Sequence, residues 1–209
     1  MNRQIPLNHF LTSGRRFIRT NGLYLFACEL WRRAGVVFRR WMLARKLGCP
    51  DIVLGPRCHL RGLAYMRIGR NFQAGEGLWL EAVSAHLGQT FYPSIVIGNN
   101  VSISHWSHIA STHRVEIGDG TLIGSKVLIT DHNHGKYQTN WDPTVPPSER
   151  PLDSDRPVRI GKNVWIGDGA IITAGSVLED GCVIGANAVV SGTIPSNCIA
   201  TGVPARWRA

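Results

Sequence analysis

A six-residue repeat is the feature of this sequence that most restricts its fold. An aliphatic residue, usually followed by a small one, recurs every six positions, and in the second half of the chain six successive starts keep one register: Ile160, Ile166, Ile172, Leu178, Ile184 and Val190. A helix repeats about every 3.6 residues and a strand about every 2, so neither explains this period. The pattern predicts a solenoid whose short flat faces each turn one apolar residue inward.

The same repeat occupies the first half of the domain, with interruptions. It holds from Ile97 to Ile109, shifts by two residues and resumes at Ile117. Residues 84–94 break the register and predict a small loop around His86 and Gly88. A longer excursion at 135–157 contains five prolines, and a loop of that length inside a compact domain is more often functional than accidental.

Charge divides the chain into two parts. Residues 1–50 carry ten Lys and Arg against the single acid Glu29, whereas residues 51–209 carry thirteen of each sign. The net charge of +9 therefore belongs to the first quarter. We predict a basic amphipathic helical segment at 1–50 and a solenoid domain at 51–209, with a protruding loop at 135–157.

The N-terminal segment has two interpretations. Its apolar residues recur at spacings of three and four, and Gly48-Cys49-Pro50 ends the pattern. The helix is either a cap on the solenoid or an interfacial helix, with arginines facing anionic lipid and Trp31, Phe38 and Trp41 entering the bilayer surface. Nucleic-acid binding is not expected, because no nucleic-acid motif accompanies the basic residues.

Cysteine usage and hydropathy indicate the cellular compartment in which the protein is expected. The five cysteines form no CxxC pair, so neither a disulfide scaffold nor a zinc knuckle is expected. No signal peptide is recognisable, and no stretch approaches the roughly 20 apolar residues that span a bilayer. We expect a cytoplasmic protein, with peripheral contact at the inner membrane as the further option.

Four motifs resemble the hexapeptide-repeat acyltransferases over about residues 52–209. They are Ile129-Thr130-Asp131-His132-Asn133-His134-Gly135, the segment Ser148-Glu149-Arg150-Pro151-Leu152, the block Ile160-Gly161-Lys162-Asn163-Val164-Trp165-Ile166-Gly167, and the close Gly202-Val203-Pro204-Ala205-Arg206. The sequence is most similar to sugar O-acetyltransferases of the galactoside and maltose type and to their relatives in lipopolysaccharide and capsule pathways.

The resemblance implies a fold, an activity and an assembly. The expected fold is mainly β: a left-handed parallel β-helix of triangular section, preceded by the N-terminal helical segment. The expected protein is a homotrimeric O-acetyltransferase that uses acetyl-CoA as co-substrate and needs no metal. Its acceptor would be a saccharide hydroxyl in envelope polysaccharide or lipopolysaccharide synthesis, on a sugar that could be lipid-linked.

The chemistry needs a general base, because a protonated hydroxyl is a poor nucleophile. Histidine, with an ordinary pKa of about 6.5, is the natural candidate. By alignment from Ile123 without gaps, His134 falls where the family places its catalytic histidine. His132 is the rival, as a base or as an orienting residue.

The resemblance also implies binding residues. For the acceptor these are Ser104, which stands where many relatives carry an asparagine, and four aromatic candidates for stacking on a sugar ring: Trp106, Tyr137, Trp141 and Trp165. For coenzyme A the matching positions are Trp165, Asp168, Gly185, Ala186, Ser191, Gly192 and Arg206. Arg206 would meet phosphate, and Arg208 is a weaker candidate.

Three other functions stay open at this point. An N-acetyltransferase of an amino-sugar would use the same base. A zinc enzyme of the carbonic-anhydrase kind uses the same solenoid, and the chain is rich in histidine (His105, His108, His113, His132 and His134). A non-catalytic envelope scaffold is the third.

Overall fold

The computed structural model describes residues 7–135, 143–153 and 155–209, which fall into two compact units. The first unit ends at Met42 and the second is Leu43–Ala209. Tyr137 and Trp141 lie outside the described residues.

One long helix, α1, spans Leu7–Leu47 and is interrupted at Gly22, where φ is 82°. It ends in a Schellman motif: Gly48 has a φ of 68°, and the Cys49 N–H donates to the Ala44 carbonyl at 3.0 Å. Several large apolar side chains of the helix are exposed, Tyr24, Trp31 and Phe38 among them. Across the described residues, no helix is both long and apolar enough to cross a bilayer.

The second unit is built from short strands. In chain order they are β1 Val53–Leu54, β2 His59–Arg61, β3 Met66–Ile68, β4 Gln73–Ala74, β5 Trp79–Ala82, β6 Ala85–His86, β7 Gln89–Thr90, β8 Ser94–Ile97, β9 Ser102–Ile103, β10 His108–Ser111, β11 Arg114–Ile117, β12 Leu122–Ile123, β13 Leu128–Thr130, β14 Asn133–His134, β15 Leu152–Asp153, β16 Val158–Ile160, β17 Trp165–Ile166, β18 Ile171–Ile172, β19 Val177–Leu178, β20 Val183–Ile184, β21 Val189–Val190, β22 Thr193–Ile194, β23 Ile199–Thr201 and β24 Arg206–Arg208. Two 3₁₀ turns, Leu63–Tyr65 and Pro147–Glu149, complete the elements of this unit.

These strands form three sheets that the chain visits in turn, as a parallel β-helix. The first sheet has the order β1-β4-β9-β12-β17-β20-β23-β24, the second β2-β5-β10-β13-β18-β21, and the third β22-β19-β16-β11-β8-β3. All neighbours within them are parallel except β23 and β24. Ile166 pairs with Ile184, eighteen residues later, so three six-residue repeats make one full coil.

The core is a stack of aliphatic side chains inside the coils. Ile123, Ile166 and Ile184 lie above one another in the first sheet, and each is at most 1% exposed. Equivalent stacks of residues at the repeat starts line the other two sheets. The six-residue period thus reflects one inward-facing residue per face.

The corners of the coils explain the polar part of the repeat. At the corner between the third and first sheets, each coil has Asn or Gly with positive φ: Asn71, Asn100, Gly120, Asn163, Gly181 and Asn197. Asparagine tolerates this left-handed conformation better than other residues with side chains. The preceding residue often accepts a backbone N–H from the coil below, as Asp119 does from Asn99 and Asp180 from Lys162.

All long departures from the regular coil occur at the corner between the second and third sheets, called here the second corner. The β6–β7 hairpin leaves it after β5, and the excursion at 131–157 leaves it after β13. Strand registers across these departures are kept, since Leu80 still pairs with Ile109 and Ile129 with Ile172. The predicted loop at 84–94 is therefore a two-stranded hairpin, with Leu87 and Gly88 at its turn.

Candidate active site

The second corner is organised around a buried carboxylate. Asp131 follows β13 and is 0% exposed. Its Oδ2 accepts hydrogen bonds from the Ser111 hydroxyl at 2.6 Å and from the N–H groups of His113 and Arg114 at 2.9 and 2.7 Å. Its Oδ1 accepts from the N–H and hydroxyl of Thr112 at 2.8 and 3.1 Å. The carboxylate therefore fixes the turn between β10 and β11 on the coil below.

His132 completes this network. Its Nδ1 lies 3.0 Å from Asp131 Oδ1 and 3.3 Å from the Thr130 hydroxyl, and its side chain is 13% exposed. Burial alone would raise the pKa of Asp131, but the hydrogen bonds from His132, from Ser111 and from backbone N–H groups outweigh burial and lower it. Asp131 is thus held as a carboxylate, and His132 is oriented with Nδ1 as the donor.

His134 lies two residues further on and is exposed. It belongs to β14, which pairs antiparallel with β15 so that His134 is opposite Leu152. Leu152 is buried, and the Gly135 N–H donates to the Pro151 carbonyl at 2.9 Å. Arg150 is also buried, and its Nε donates to the Val145 carbonyl at 2.8 Å. Strand β15 is thus well anchored, and it pairs with the strand that carries the exposed His134 imidazole.

The β6–β7 hairpin contacts both His134 and its cross-strand partner Leu152. The ring of His86 meets the ring of His134 edge-on, with centroids 5.4 Å apart and planes at 79°. The Gln89 side chain binds both backbone groups of Leu152: its Oε1 accepts the N–H at 2.7 Å and its Nε2 donates to the carbonyl at 3.3 Å. Residues far apart in sequence therefore surround His134.

A cleft of about 460 Å³ opens on the second sheet and its corner with the first sheet. Two tryptophans, Trp79 and Trp106, line it and are 42% and 48% exposed. The other lining residues are Arg57, His59, Arg61, Gly77, Ser107 and His108.

Aromatic and charged groups alternate along the cleft. Arg57 lies over the Trp106 ring, 5.0 Å from its centroid, and is paired with Glu76. Trp79 stacks on His108 at 4.7 Å, and its indole N–H donates to Glu81 at 2.8 Å. Burial lowers the pKa of His108, an effect that Glu81 opposes and His132 reinforces. His108 itself is half-buried and lines the cleft.

Trp106 adopts an unusual backbone conformation. Its φ is 59°, in the left-handed region, which costs a bulky residue on the order of 1–3 kcal/mol. Its ring lies against Gly77 on the coil below, where an added Cβ would come within 2.2 Å of the indole. Only glycine leaves room for the ring there, so the two residues together form the wall of the cleft.

Other predicted residues, at the corner between the first and second sheets, make contacts that support the fold. Ser104 is half-buried, and its N–H donates to the Ile123 carbonyl at 2.8 Å. His105 Nδ1 accepts the Glu76 N–H at 3.1 Å. Asp168, one of the predicted donor-binding residues, is exposed at the same corner of a higher coil, and its Oδ1 accepts the Ser125 N–H at 2.6 Å.

The predicted donor-binding residues fall into two groups within one chain. Gly185 and Ala186 lie on the coil next to Asp168, at the corner between the first and second sheets, and the Asp168 carbonyl accepts the Asn187 N–H. Trp165, 54% exposed, and Arg206, on the antiparallel strand β24, are on the first sheet. Ser191 and Gly192 lie apart from them, at the second corner between β21 and β22.

Comparisons with known proteins identify the family. A model described as "Bacterial transferase hexapeptide (six repeats)" matches residues 157–192. The Escherichia coli K12 protein named "Putative lipopolysaccharide biosynthesis O-acetyl transferase WbbJ" is 40% identical over 152 residues, which is 71% of this chain and 74% of WbbJ. The chain belongs to the hexapeptide-repeat acyltransferases.

Solved structures agree with this acyltransferase fold. A maltose O-acetyltransferase from Clostridium difficile 630 is 26% identical with a TM-score of 0.51, over 81% of this chain and 73% of that one. AntD, an N-acyltransferase from Bacillus cereus, aligns with a TM-score of 0.63 at 20% identity, over 77% and 81% of the two chains, and shows a shared fold. The prediction of a left-handed parallel β-helix preceded by a helix is confirmed, as is that of an acyltransferase.

Sequence reasoning missed two features of the candidate site. Neither His86 nor the Asp131 network was predicted to matter, although both lie where the six-residue register breaks. Such breaks at one corner are a usable signal, because segments that leave the same corner of nearby coils, here after β5 and after β13, can meet. Within the described ranges, no three His, Cys, Asp or Glu side chains of one chain converge as metal ligands do.

Proposed function

We propose that the protein is an acetyl-CoA-dependent O-acetyltransferase that acetylates a saccharide hydroxyl during the synthesis of lipopolysaccharide or another envelope polysaccharide. The observation that carries the proposal is the 40% identity with WbbJ over 152 residues. The structure adds the chemistry, because the family fold here bears an exposed imidazole, His134, at the second corner, and a cleft with two tryptophans on the second sheet.

His134 is the general base of this proposal. The acceptor hydroxyl gives its proton to the imidazole as its oxygen bonds to the acetyl carbonyl carbon. The carbon–sulfur bond of the thioester then breaks, and the imidazolium returns the proton to the leaving sulfur. Acetyl-CoA supplies only the activated acetyl group. Exposure favours His134 over His132, which is mostly covered and tied to Asp131.

Asp131 and His132 are proposed to hold the backbone that carries His134 in place. His134 follows His132 by two residues, so the anchoring of Asp131 in six hydrogen bonds limits where β14 can begin. A catalytic group held by such a network loses less freedom when it reaches its reactive geometry. Removal of a general base typically lowers turnover by about 10²–10⁴-fold, and that is the effect proposed for His134→Ala.

The cleft beside His108 is the proposed acceptor site. Indole faces provide flat apolar surfaces for the C–H face of a pyranose ring, and Trp79 and Trp106 offer two of them. Arg57, Arg61 and Glu81 present planar groups that can donate to or accept from sugar hydroxyls. Opposite charges balance around the cleft, since Arg57 pairs with Glu76 and Arg61 with Glu81. A neutral or weakly charged saccharide therefore fits better than a polyanion.

The donor would lie along the upper coils. Trp165, Asp168, Gly185, Ala186 and Arg206 provide an aromatic face, small corner residues and one guanidinium along neighbouring strands. Guanidinium groups recognise phosphate well, which suits Arg206 to the phosphates of coenzyme A. Ser191 and Gly192 lie at a different corner, so a donor that contacts both groups would bind between two copies.

A closed ring of copies would supply such a site. A head-to-tail contact between different corners closes when its rotation suits the number of copies. We therefore propose a homotrimer, in which the second corner of one copy faces the first sheet of the next. Native mass spectrometry measures the stoichiometry directly, and a monomer that is active at nanomolar concentration would contradict the proposal.

The N-terminal segment is proposed to contact the inner membrane peripherally, near a lipid-linked acceptor. Support comes from its ten basic residues and from exposed aromatic side chains such as Trp31, 80% exposed, and Phe38, 61% exposed. Vesicles with anionic lipid should sediment the protein, and the double substitution Trp31→Ser, Phe38→Ser should weaken that binding. Equal binding by the variant would contradict the membrane role.

Transfer assays test the main proposal. Purified protein is incubated with acetyl-CoA and a panel of saccharides that includes amino-sugars, and the products are examined by mass spectrometry. Addition of one acetyl group that hydroxylamine removes indicates an ester, whereas a hydroxylamine-resistant product indicates an amide and contradicts O-transfer. His134→Ala should slow product formation by about 10²–10⁴-fold, and His113→Ala, in the turn that Asp131 binds by its backbone, serves as the histidine control and should keep the wild-type rate.

A further inference from the structure

A second histidine accompanies the proposed base. His86 stands on β6, and its ring forms an edge-to-face contact with the His134 ring, at a centroid distance of 5.4 Å and an interplanar angle of 79°. Edge-to-face contacts of this geometry are preferred between aromatic rings, because the positive edge of one ring faces the negative face of the other. The contact therefore favours one orientation of the His134 imidazole.

The environment of His86 differs from that of an ordinary surface histidine. Its Nε2 is buried, and in the described part of the chain this atom has no hydrogen-bond partner. Buried polar atoms without partners are few in native proteins, and each calls for an explanation such as a strained or catalytic role. The ring of His86 is therefore held by its packing against His134 and not by a hydrogen bond at Nε2.

The hairpin that carries His86 is fixed to the strand opposite His134. Gln89 is paired with His86 across the hairpin, and its amide makes both hydrogen bonds of a strand partner with Leu152. Leu152 is in turn the cross-strand partner of His134. His86 and His134 are therefore held by one connected set of backbone and side-chain hydrogen bonds rather than by a chance contact of loops.

We infer that His86 is a positioning residue, which fixes the ring orientation of His134 through edge-on contact. This inference rests on the proposed role of His134 as the general base. His86 touches neither acceptor nor thioester in this account, and it acts through the imidazole of His134. Misplacement of a reacting group by about 1 Å can cost on the order of 10²-fold in rate, so loss of the contact should reduce turnover without loss of the base itself.

Steady-state kinetics with acetyl-CoA and an accepted saccharide test the inference. His86→Ala should lower kcat by about 10-fold to 10²-fold and change either KM by less than about two-fold. His86→Phe keeps a ring edge but cannot titrate or form hydrogen bonds, so it should restore most of kcat. Gln89→Ala, which frees the hairpin from Leu152, should give an intermediate loss. Leu87→Asn, at the exposed turn where φ is 45°, is the matched control within the hairpin and should behave as the wild type.

Two kinetic results would overturn the inference. One is a kcat for His86→Ala within about two-fold of the wild type, and the other is a His86→Phe variant as impaired as His86→Ala. The second result would assign the effect to the His86 nitrogen rather than to ring contact.

Histidine-ring NMR separates this inference from the proposed function. The His134 ring protons should shift when His86 is replaced by alanine, because the ring current of His86 is lost, and should stay near their wild-type positions in the Leu87→Asn control. These spectra need no substrate. If no saccharide is acetylated but the shift occurs, the proposed function fails while the positioning contact stands; if acetylation occurs without the shift, the inference fails alone.

Discussion

The buried carboxylate of Asp131 allows a stability prediction with a calculable size. Substitution Asp131→Asn keeps the shape but replaces one acceptor oxygen by an NH₂ group. If the amide oxygen stays toward Thr112, the NH₂ faces the N–H groups of His113 and Arg114, which then have no acceptor. Each buried donor left unsatisfied costs about 1–3 kcal/mol, so the variant should lose about 2–6 kcal/mol of unfolding free energy.

The pH dependence of the unfolding free energy provides a second, independent test of this prediction. Because the pKa of Asp131 is lower in the folded protein than its ordinary value of 3.8, the carboxylate stabilises the fold above that pH. This contribution is lost as the pH falls below 3.8 toward the folded pKa. Asparagine does not titrate, so the stability difference between wild type and variant should narrow over that range.

Urea unfolding followed by circular dichroism measures both quantities. Asp155→Asn is the control, because Asp155 is exposed and substitutions of this kind usually change stability by less than about 0.5 kcal/mol. A loss below about 1 kcal/mol for Asp131→Asn, or a difference that does not change between pH 7 and acid, would refute the reasoning.

Three further predictions concern the coils. Ile166→Ala removes a fully buried side chain and should destabilise the protein by about 2–5 kcal/mol in urea unfolding. In native protein a thiol reagent at pH 8 should modify Cys28, the exposed cysteine, but not Cys182, because burial raises the pKa of Cys182 to about 11 and leaves little thiolate. Gly77→Ala should displace the Trp106 ring, which its Cβ would approach within 2.2 Å, and so weaken saccharide binding measured by tryptophan fluorescence.

Each of these has a contradicting result. A loss under 1 kcal/mol for Ile166→Ala would mean that the coils collapse around the cavity. Rapid modification of a second thiol before unfolding would mean that the core opens locally. Unchanged fluorescence and affinity for Gly77→Ala would mean that Trp106 does not depend on the bare glycine; Gly35→Ala, where an added Cβ meets nothing within 4 Å, is the control.

The regular part of this fold follows from the sequence because its information is local. Each repeat start, such as Ile166, is an inward residue, and the spacing of eighteen to Ile184 is the length of a coil. The Asn or Gly at one corner is likewise readable, since few other residues tolerate positive φ. The spacing does not encode the left-handed sense of the coil, which was predicted only from the resemblance to the hexapeptide-repeat acyltransferases.

The candidate site depends on contacts between residues far apart in sequence, which the six-residue repeat does not predict. Gln89 binds Leu152 across 63 positions of sequence, and the position of His86 against His134 follows from that bond. The exposed Trp106 was predicted as a sugar-binding residue, but its left-handed backbone and its fit against Gly77 depend on two neighbouring coils. The roles of His134, Asp168 and the other binding residues stay predictions.

The confinement of long insertions to the second corner has a consequence for how such an enzyme can change. Loops at that corner lengthen the chain without altering any strand pairing, as the unchanged register of Leu80 with Ile109 demonstrates. The surroundings of His134 can therefore change there by gain, loss or exchange of whole loops, while the stacked interior is inherited intact. For protein engineering, grafted loops belong at this corner, where the scaffold already accommodates segments of very different size.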